Sequence, residues 1–285
     1  MLWSEVIART GSFLAAKGVD SPSLAAELLA ARLLGVKRGD VRRHSGEAAA
    51  EPKLEAMRRA MKRLSSGEPL QYVLGEWDFR TLTLKCDRRA LIPRPETEDL
   101  VTKALAVLGR SSSARPVVAD VGTGTGAIIL SIASEYKGDG VFIGTDISAE
   151  ALSLAKENAE RLSLSQRVSL MEMDGLDGFD EPEIFDLIVS NPPYIATGSI
   201  ASLDRNVRDF EPRIALDGGA DGLDFYRRYL ADAFNLLKSG GGVLFEIGFD
   251  QGGAVAALME EAGFTDVEIS KDIAGLDRYA SARLG

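Results

Sequence analysis

The sequence predicts an α/β fold: a mostly parallel seven-stranded sheet covered on both faces by helices, preceded by a small N-terminal helical bundle and a short β-hairpin connector. Two observations carry this. From Pro116 onward, short apolar runs alternate with helix-length segments, which implies strands linked by helical crossovers. Before residue 65 the apolar positions recur at helical spacing instead. At 285 residues the chain also has room for roughly two domains, at about 150 residues each. The expected boundaries are 1–75 for the helical domain, 76–92 for the hairpin connector and 93–285 for the sheet domain.

In the helical domain, Trp3, Val6 and Ile7, then Phe13 and Leu14, share a helical face. Residues 23–34 are rich in strong helix formers, with Ser23 as the expected N-cap and Gly35 and Gly39 as stop signals. Leu54, Met57, Ala60, Met61 and Leu64 place another helix over residues 52–64, and the two methionines read as core. From Trp77 to Leu91 the pattern alternates, which suggests two short strands. A helix over about 96–109 and the polar break Ser111-Ser112-Ser113 follow. The strands of the sheet are expected at 117–121, 141–145, 168–171, 184–190, 242–247, 267–270 and 279–283. Helices are expected at 127–136, 151–162, 225–237 and 251–262.

Composition narrows the function. The chain carries 33 Lys+Arg against 43 Asp+Glu. Residues 1–85 hold 14 basic and 10 acidic side chains, whereas the remainder holds 19 and 33, a net of -14. That disfavours a large nucleic-acid groove on the C-terminal part, because phosphate neutralisation needs local positive charge. The basic runs Lys37-Arg38, Arg42-Arg43, Arg58-Arg59 and Lys62-Arg63 leave the N-terminal part free to meet an acidic partner. The lone Cys86 excludes an intramolecular disulfide, and the lone His44 excludes a multi-histidine metal site. Cys86 reads as an inert thiol and His44 as a solvated loop residue. No metal is expected. Charges at Glu5, Arg9, Lys17 and Asp20 interrupt any signal-peptide core, and no apolar run approaches about 18 residues. The expectation is a cytoplasmic chain with no membrane contact.

Two strand ends carry chemistry. The first is Asp120-Val121-Gly122-Thr123-Gly124-Thr125-Gly126, whose glycines allow positive φ and close approach of a ligand to the backbone. Asp146, at the end of the next strand, can accept both hydroxyl protons of a ribose. The spacing Gly122-x-Gly124-x-x-Ala127 also fits a dinucleotide fingerprint. Asp120 favours a cationic amino-acid moiety over a diphosphate, which places S-adenosylmethionine ahead of NAD. The second is Asn191-Pro192-Pro193-Tyr194, directly after a strand. Two prolines stiffen the turn and bias Asn191 toward an extended conformation, so that its side-chain oxygen and a backbone carbonyl can face outward together. Paired acceptors beside an aromatic ring suit a planar group bearing an NH2.

Together these motifs resemble methyltransferases acting on amide or exocyclic amine nitrogen. Further stretches resemble the PrmC/HemK family of protein-(glutamine-N5) methyltransferases: Pro69-Leu70-Gln71-Tyr72-Val73-Leu74-Gly75-Glu76, Leu91-Ile92-Pro93-Arg94-Pro95-Glu96-Thr97-Glu98, Glu211-Pro212-Arg213-Ile214-Ala215-Leu216, Gly218-Gly219-Ala220-Asp221-Gly222-Leu223 and Glu246-Ile247-Gly248. The resemblance spans about residues 65–283. It implies a Rossmann-like S-adenosylmethionine-dependent methyltransferase domain and methylation of the side-chain amide N5 of a glutamine in peptide-chain release factors, in a Gly-Gly-Gln loop. It also implies that the N-terminal domain contacts the release factor, with the chain acting as a monomer. Cofactor contacts are expected from Asp120, Gly122, Thr123, Gly124, Thr125, Gly126, Asp146, Asp174, Gly175 and Asn191. Asn191, Pro192, Pro193 and Tyr194 are expected to hold the substrate, with Asn191, Pro192 and Tyr194 catalytic. One departure concerns Gly175, where the family often carries an aromatic that stacks near adenine. The polar connection over residues 195–221 is expected to cover the glutamine together with residues 93–98. The same turn suits adenine N6, so an adenine-N6 methyltransferase acting on DNA or RNA is the alternative. A non-catalytic adaptor is disfavoured because both ligand loops are intact.

Overall fold

The computed structural model describes residues 1–285. The chain divides into two compact units, residues 1–76 with 204–210, and residues 77–203 with 211–285.

The first unit is helical: α1 (Trp3–Ala16), α2 (Pro22–Leu34), a 3-10 segment Arg38–His44, α3 (Glu51–Ser65) and α4 (Leu70–Leu74). Trp3, Leu14, Leu29, Met57 and Leu64 are buried in it. Met61 is only half-buried and accepts a hydrogen bond at sulfur from the Thr10 hydroxyl. α2 starts one residue before the expected cap: Ser21, at φ 47, precedes Pro22, and Ser23 lies inside the helix. The reason is that proline has a helical φ and no N–H to satisfy, which suits the first helical position. Gly35, at φ 76, does terminate α2. Gly39 stops nothing and sits within the 3-10 segment. His44 Nδ1 lies 2.9 Å from Glu47 Oε1, at the end of that segment. A distant stretch joins this unit: α8 (Arg205–Arg208) and Phe210 lie beside Gly67, where a Cβ would stand 3.6 Å from the Phe210 ring.

From Trp77 the second unit contains the rest of β1 (Glu76–Phe79) and β2 (Leu82–Lys85), a separate two-stranded sheet turned at Arg80, which has φ 53. Arg80 then clamps the Glu135 carboxylate through Nε and Nη2 at 2.7 and 2.8 Å. Helix α5 (Pro95–Leu108) precedes the main sheet. Its strands are β3 (Val117–Val121), β4 (Val141–Asp146), β5 (Val168–Glu172), β6 (Phe185–Ser190), β7 (Leu237–Glu246), β8 (Thr265–Lys271) and β9 (Asp277–Arg283), in the order β5-β4-β3-β6-β7-β9-β8. Pairings from β5 through β7 are parallel, and β9 runs antiparallel to β7 and β8.

Strand residues alternate between two cores, which is why the strands read as nearly continuous apolar runs. Val118, Phe142 and Val189 face α5 and α6 (Ala127–Glu135). Ala119, Ile143, Ile188 and Phe245 face α9 (Asp224–Leu236) and α10 (Gly252–Glu261). The remaining crossover is α7 (Ala149–Arg161). Cys86 is fully buried just past β2, and burial pushes its thiol up to about 12, so it stays protonated and inert.

Chain direction of travel across the sheet reverses at β3. From β3 the chain goes outward to β4 and β5, then returns to place β6 on the other side. Ligands bind beyond the carboxyl ends of parallel strands at such a reversal. Register pairs Asp120 with Val189, so the loops after β3 and β6 leave the sheet side by side.

Candidate active site

A cavity of about 940 Å³, counting its open mouth, lies over these strand ends. The glycine loop forms one wall. Gly122, Gly124 and Gly126 take φ of 73, 56 and 82°, and a Cβ at Gly122 would meet no atom within 4 Å. The loop is tied down by the N–H groups of Gly122 and Thr123, which donate to the Thr145 carbonyl at 2.9 and 2.8 Å. Asp146 closes it: Oδ2 accepts from Gly124 N–H and Oδ1 from Ser148 N–H, both at 2.9 Å. Burial raises the Asp146 pKa against these bonds, so hydroxyl donors from a ligand would stabilise its carboxylate.

The structure places Gly122, Thr123, Gly124, Thr125, Asp146, Asp174, Gly175, Asn191 and Pro193 on the cavity. Asp120, Gly126, Pro192 and Tyr194 do not line it. Asp120 is fully buried behind the loop, where Oδ2 accepts from the Thr123 hydroxyl at 2.6 Å and from Ile129 N–H at 3.3 Å. Burial lifts its carboxyl to about 7. Its visible work is to staple the loop to α6, so any effect on a cationic ligand passes through the loop. Gly126 is the N-cap of α6, close-packed on Leu130. Pro192 is buried, and Tyr194 packs into the core beneath the turn, where burial and nearby Glu246 push its hydroxyl up to about 12.

The Asn191 turn is held from three sides. Ser190 Oγ donates to the Val121 carbonyl at 2.6 Å, which ties the turn to the glycine loop. Gln251 Nε2 donates to the Tyr194 carbonyl at 2.9 Å. Asn191 Nδ2 donates to Thr97 Oγ1 at 3.2 Å, and Thr97 Oγ1 donates to Glu246 Oε2 at 2.7 Å. Arg94 also lines the cavity, with Nη2 donating to buried Glu211 at 2.5 Å.

At the other end, Asp174 is engaged by Arg228, whose Nη1 donates to Oδ1 at 2.6 Å. Gly175 has φ 68, and a Cβ there would come within 3.0 Å of Arg228 and 3.2 Å of Tyr229. A side chain at 175 would be strained by the positive φ and would press on the Arg228 guanidinium and the Tyr229 ring. Phe225 and Tyr229 of α9 supply aromatic surface to the same cavity. Neither was singled out in the sequence, whereas Arg94 and Thr97 fall within residues 93–98, expected to cover the glutamine, and Glu246 within a stretch that carries the family resemblance, none of them with a role of its own. Glu246 carried a further signal, as a carboxylate ending the apolar run Val243-Leu244-Phe245. No cluster of three or more His, Cys, Asp or Glu could hold a metal ion, and no helix is long and apolar enough to cross a membrane.

A glycine-rich loop beside a strand-end carboxylate at the reversal point of a parallel sheet fits the class of S-adenosylmethionine-dependent methyltransferases. The fold agrees: a methyltransferase from Pyrococcus furiosus (TM-score 0.52, 20% identity, 72% of this chain and 90% of that one) and the hMettl16 catalytic domain (0.57, 16%, 84% and 85%) superpose on it. Residues 113–263 match the family described as "Methyltransferase domain", and residues 5–75 the "PrmC N-terminal domain". Over 275 residues the chain is 38% identical to the release factor glutamine methyltransferase of Rhodopirellula baltica, covering 95% of this chain and 93% of that one. Over 266 residues it is 41% identical to that of Moorella thermoacetica, covering 93% and 92%. The chain belongs to the release factor glutamine methyltransferase family.

Proposed function

We propose that this chain transfers the methyl group of S-adenosylmethionine to the side-chain amide N5 of a glutamine in a peptide-chain release factor, within a Gly-Gly-Gln loop. The observation that carries this reading is the placement of Asn191: its Nδ2 is committed to Thr97, and the side chain sits on the cavity wall beside the glycine loop. The residues fit the cofactor. Gly122 and Gly124 leave room against the backbone, Asp146 is placed for the ribose, and the Asp174–Gly175 end with Phe225 and Tyr229 suits a flat base. When bound, the cofactor supplies a methyl group already activated by its sulfonium charge.

The protein has to overcome the poor nucleophilicity of an amide nitrogen, whose lone pair is delocalised into the carbonyl. Asn191 Oδ1, on the cavity wall, and the backbone carbonyl of Pro192, whose side chain is buried behind that wall, accept the two N–H groups of the glutamine amide and orient its nitrogen. Alignment of this kind lowers a barrier by at most roughly 7–11 kcal/mol. The same acceptors stabilise positive charge as it grows on nitrogen, the cationic counterpart of an oxyanion hole. Pro193 and Tyr194 keep the turn rigid, Pro193 on the cavity wall and Tyr194 from below. The nitrogen sheds one proton after gaining the methyl group, so no general base is needed beforehand. Residues 1–75, with their basic runs, dock the acidic surface of the release factor, and the enzyme works as a cytoplasmic monomer without binding nucleic acid. The net charge of -14 beyond residue 85 speaks against the adenine-N6 alternative.

Incubation of the enzyme with methyl-labelled cofactor, a purified release factor and nucleic acid, followed by peptide mapping, tests this. Label is expected on the Gly-Gly-Gln glutamine, and Asn191→Ala should lower turnover by about 10²–10³ with cofactor affinity nearly unchanged. Label confined to nucleic acid would overturn the assignment.

A further inference from the structure

An asparagine side chain presents either an acceptor or a donor to a ligand, depending on which way its amide is turned. Nothing in the turn 191–194 itself decides this. The decision is made by residues far away in sequence. Thr97 is the third residue of α5 and Glu246 the last of β7, and both are buried, at 3% and 1% exposure. The Thr97 hydroxyl has a single proton, and it is committed to the Glu246 carboxylate at 2.7 Å. Only the lone pairs of that oxygen remain for Asn191, so it can accept from Nδ2 but cannot donate to Oδ1. The 3.2 Å contact is therefore satisfied in one orientation of the Asn191 amide, which leaves Oδ1 as the end available to the cavity. Glu246 is held in turn, because its backbone carbonyl accepts from the Tyr226 hydroxyl at 2.9 Å.

We propose that Thr97 and Glu246 are positioning residues that hold the Asn191 carboxamide with its oxygen toward the substrate nitrogen, an inference that rests on the role given to Asn191 above. Neither residue need touch the substrate. Their effect is on turnover, through the population of correctly turned Asn191, and not on cofactor binding.

The test uses full-length enzyme with a release factor as substrate, above pH 7 so that Glu246, whose burial raises it to about 7, is ionised. Thr97→Val keeps the shape and removes the hydroxyl. Turnover is expected to fall about 10- to 100-fold, as when a positioned group is misaligned, with cofactor affinity unchanged. Thr97→Ser should restore most of the loss. In an Asn191→Ala background, Thr97→Val should cost nothing further, since there is no amide left to orient. If Thr97→Val does not fold, Glu246→Leu takes its place: it removes the acceptor and frees the Thr97 proton to turn the Asn191 amide, so turnover should again fall with no further loss in the Asn191→Ala background. Wild-type turnover in Thr97→Val, a serine variant as impaired as the valine one, or an added loss in the Asn191→Ala background would each overturn the proposal. If Asn191→Ala itself keeps full turnover, the functional reading falls as well. If Asn191→Ala is impaired and Thr97→Val is not, only the positioning role falls.

Discussion

Asp146 shows how much one side chain does at the site. Its two oxygens already hold Gly124 and Ser148 N–H groups, which sets the carboxylate in place before any ligand arrives. What remains are lone pairs suited to paired hydroxyls. Losing a hydrogen bond to a charged group costs roughly 1.5–3 kcal/mol, so Asp146→Ala should weaken S-adenosylmethionine binding by about 10- to 100-fold. Titration calorimetry on the variant checks this, and an unchanged Kd would remove Asp146 from the cofactor site. Residues of this kind were legible because glycines, prolines and strand-end carboxylates have strong local signatures. Asp120 was legible in type but not in placement. Its position next to the loop suggested a ligand contact, whereas strand alternation turns it inward, behind the loop and onto α6.

The start of α6 depends on Gly126, the third glycine of the loop. Its φ of 82° suits only glycine without cost, and a Cβ there would come within 2.8 Å of Leu130. Gly126→Ala should therefore destabilise the protein by about 1–3 kcal/mol. At this chain length that lowers Tm by several degrees, on the order of 2–4 °C per kcal/mol. Gly253, in the first turn of α10, has ordinary φ and open space around it, so Gly253→Ala should leave Tm unchanged or raise it slightly. Scanning calorimetry on the pair decides, and equal effects would contradict the distinction. Among the strands, β7 begins five residues before the expected start at 242. Lys238-Ser239-Gly240-Gly241 reads as a loop, but the chain runs it through the strand with a register shift between Phe185 and Leu187 on β6. Glycines in a strand mark such irregularities as readily as they mark turns.

Across the whole molecule, buried carboxyls set the pH response. Burial raises Asp120 and Glu246 to about 7. Their unfolded values lie near about 4, so between roughly pH 4 and 7 the folded state binds more protons than the unfolded state, and stability falls as pH rises through that window. Glu157, beside Arg89 and Lys85, and Asp221, beside Arg227, are held down at about 2. Their small, solvent-screened contribution is complete above about pH 4 and is lost as pH falls toward 2. A net charge of -10 adds repulsion on the alkaline side. Tm is thus expected to peak near about pH 4 and decline toward pH 8, with a shallower decline in Glu246→Gln. A calorimetric Tm that climbs between those pH values would refute this assignment.

The sequence by itself determined the alternation of strands and helices, the glycine loop, the proline-stiffened turn after β6 and the carboxylate that ends β4. Each is written in local chemistry, either periodicity or the restricted φ of proline and the free φ of glycine. Tertiary structure alone decided that β6 returns beside β3 and so brings residues 122–126 to residues 191–194. It also decided that residues 204–210 join the helical unit, and that Thr97 and Glu246, 149 positions apart, share one hydrogen bond beneath Asn191. Such partnerships follow from strand order, register and close packing, and a polar side chain carries no local pattern that names its distant partner.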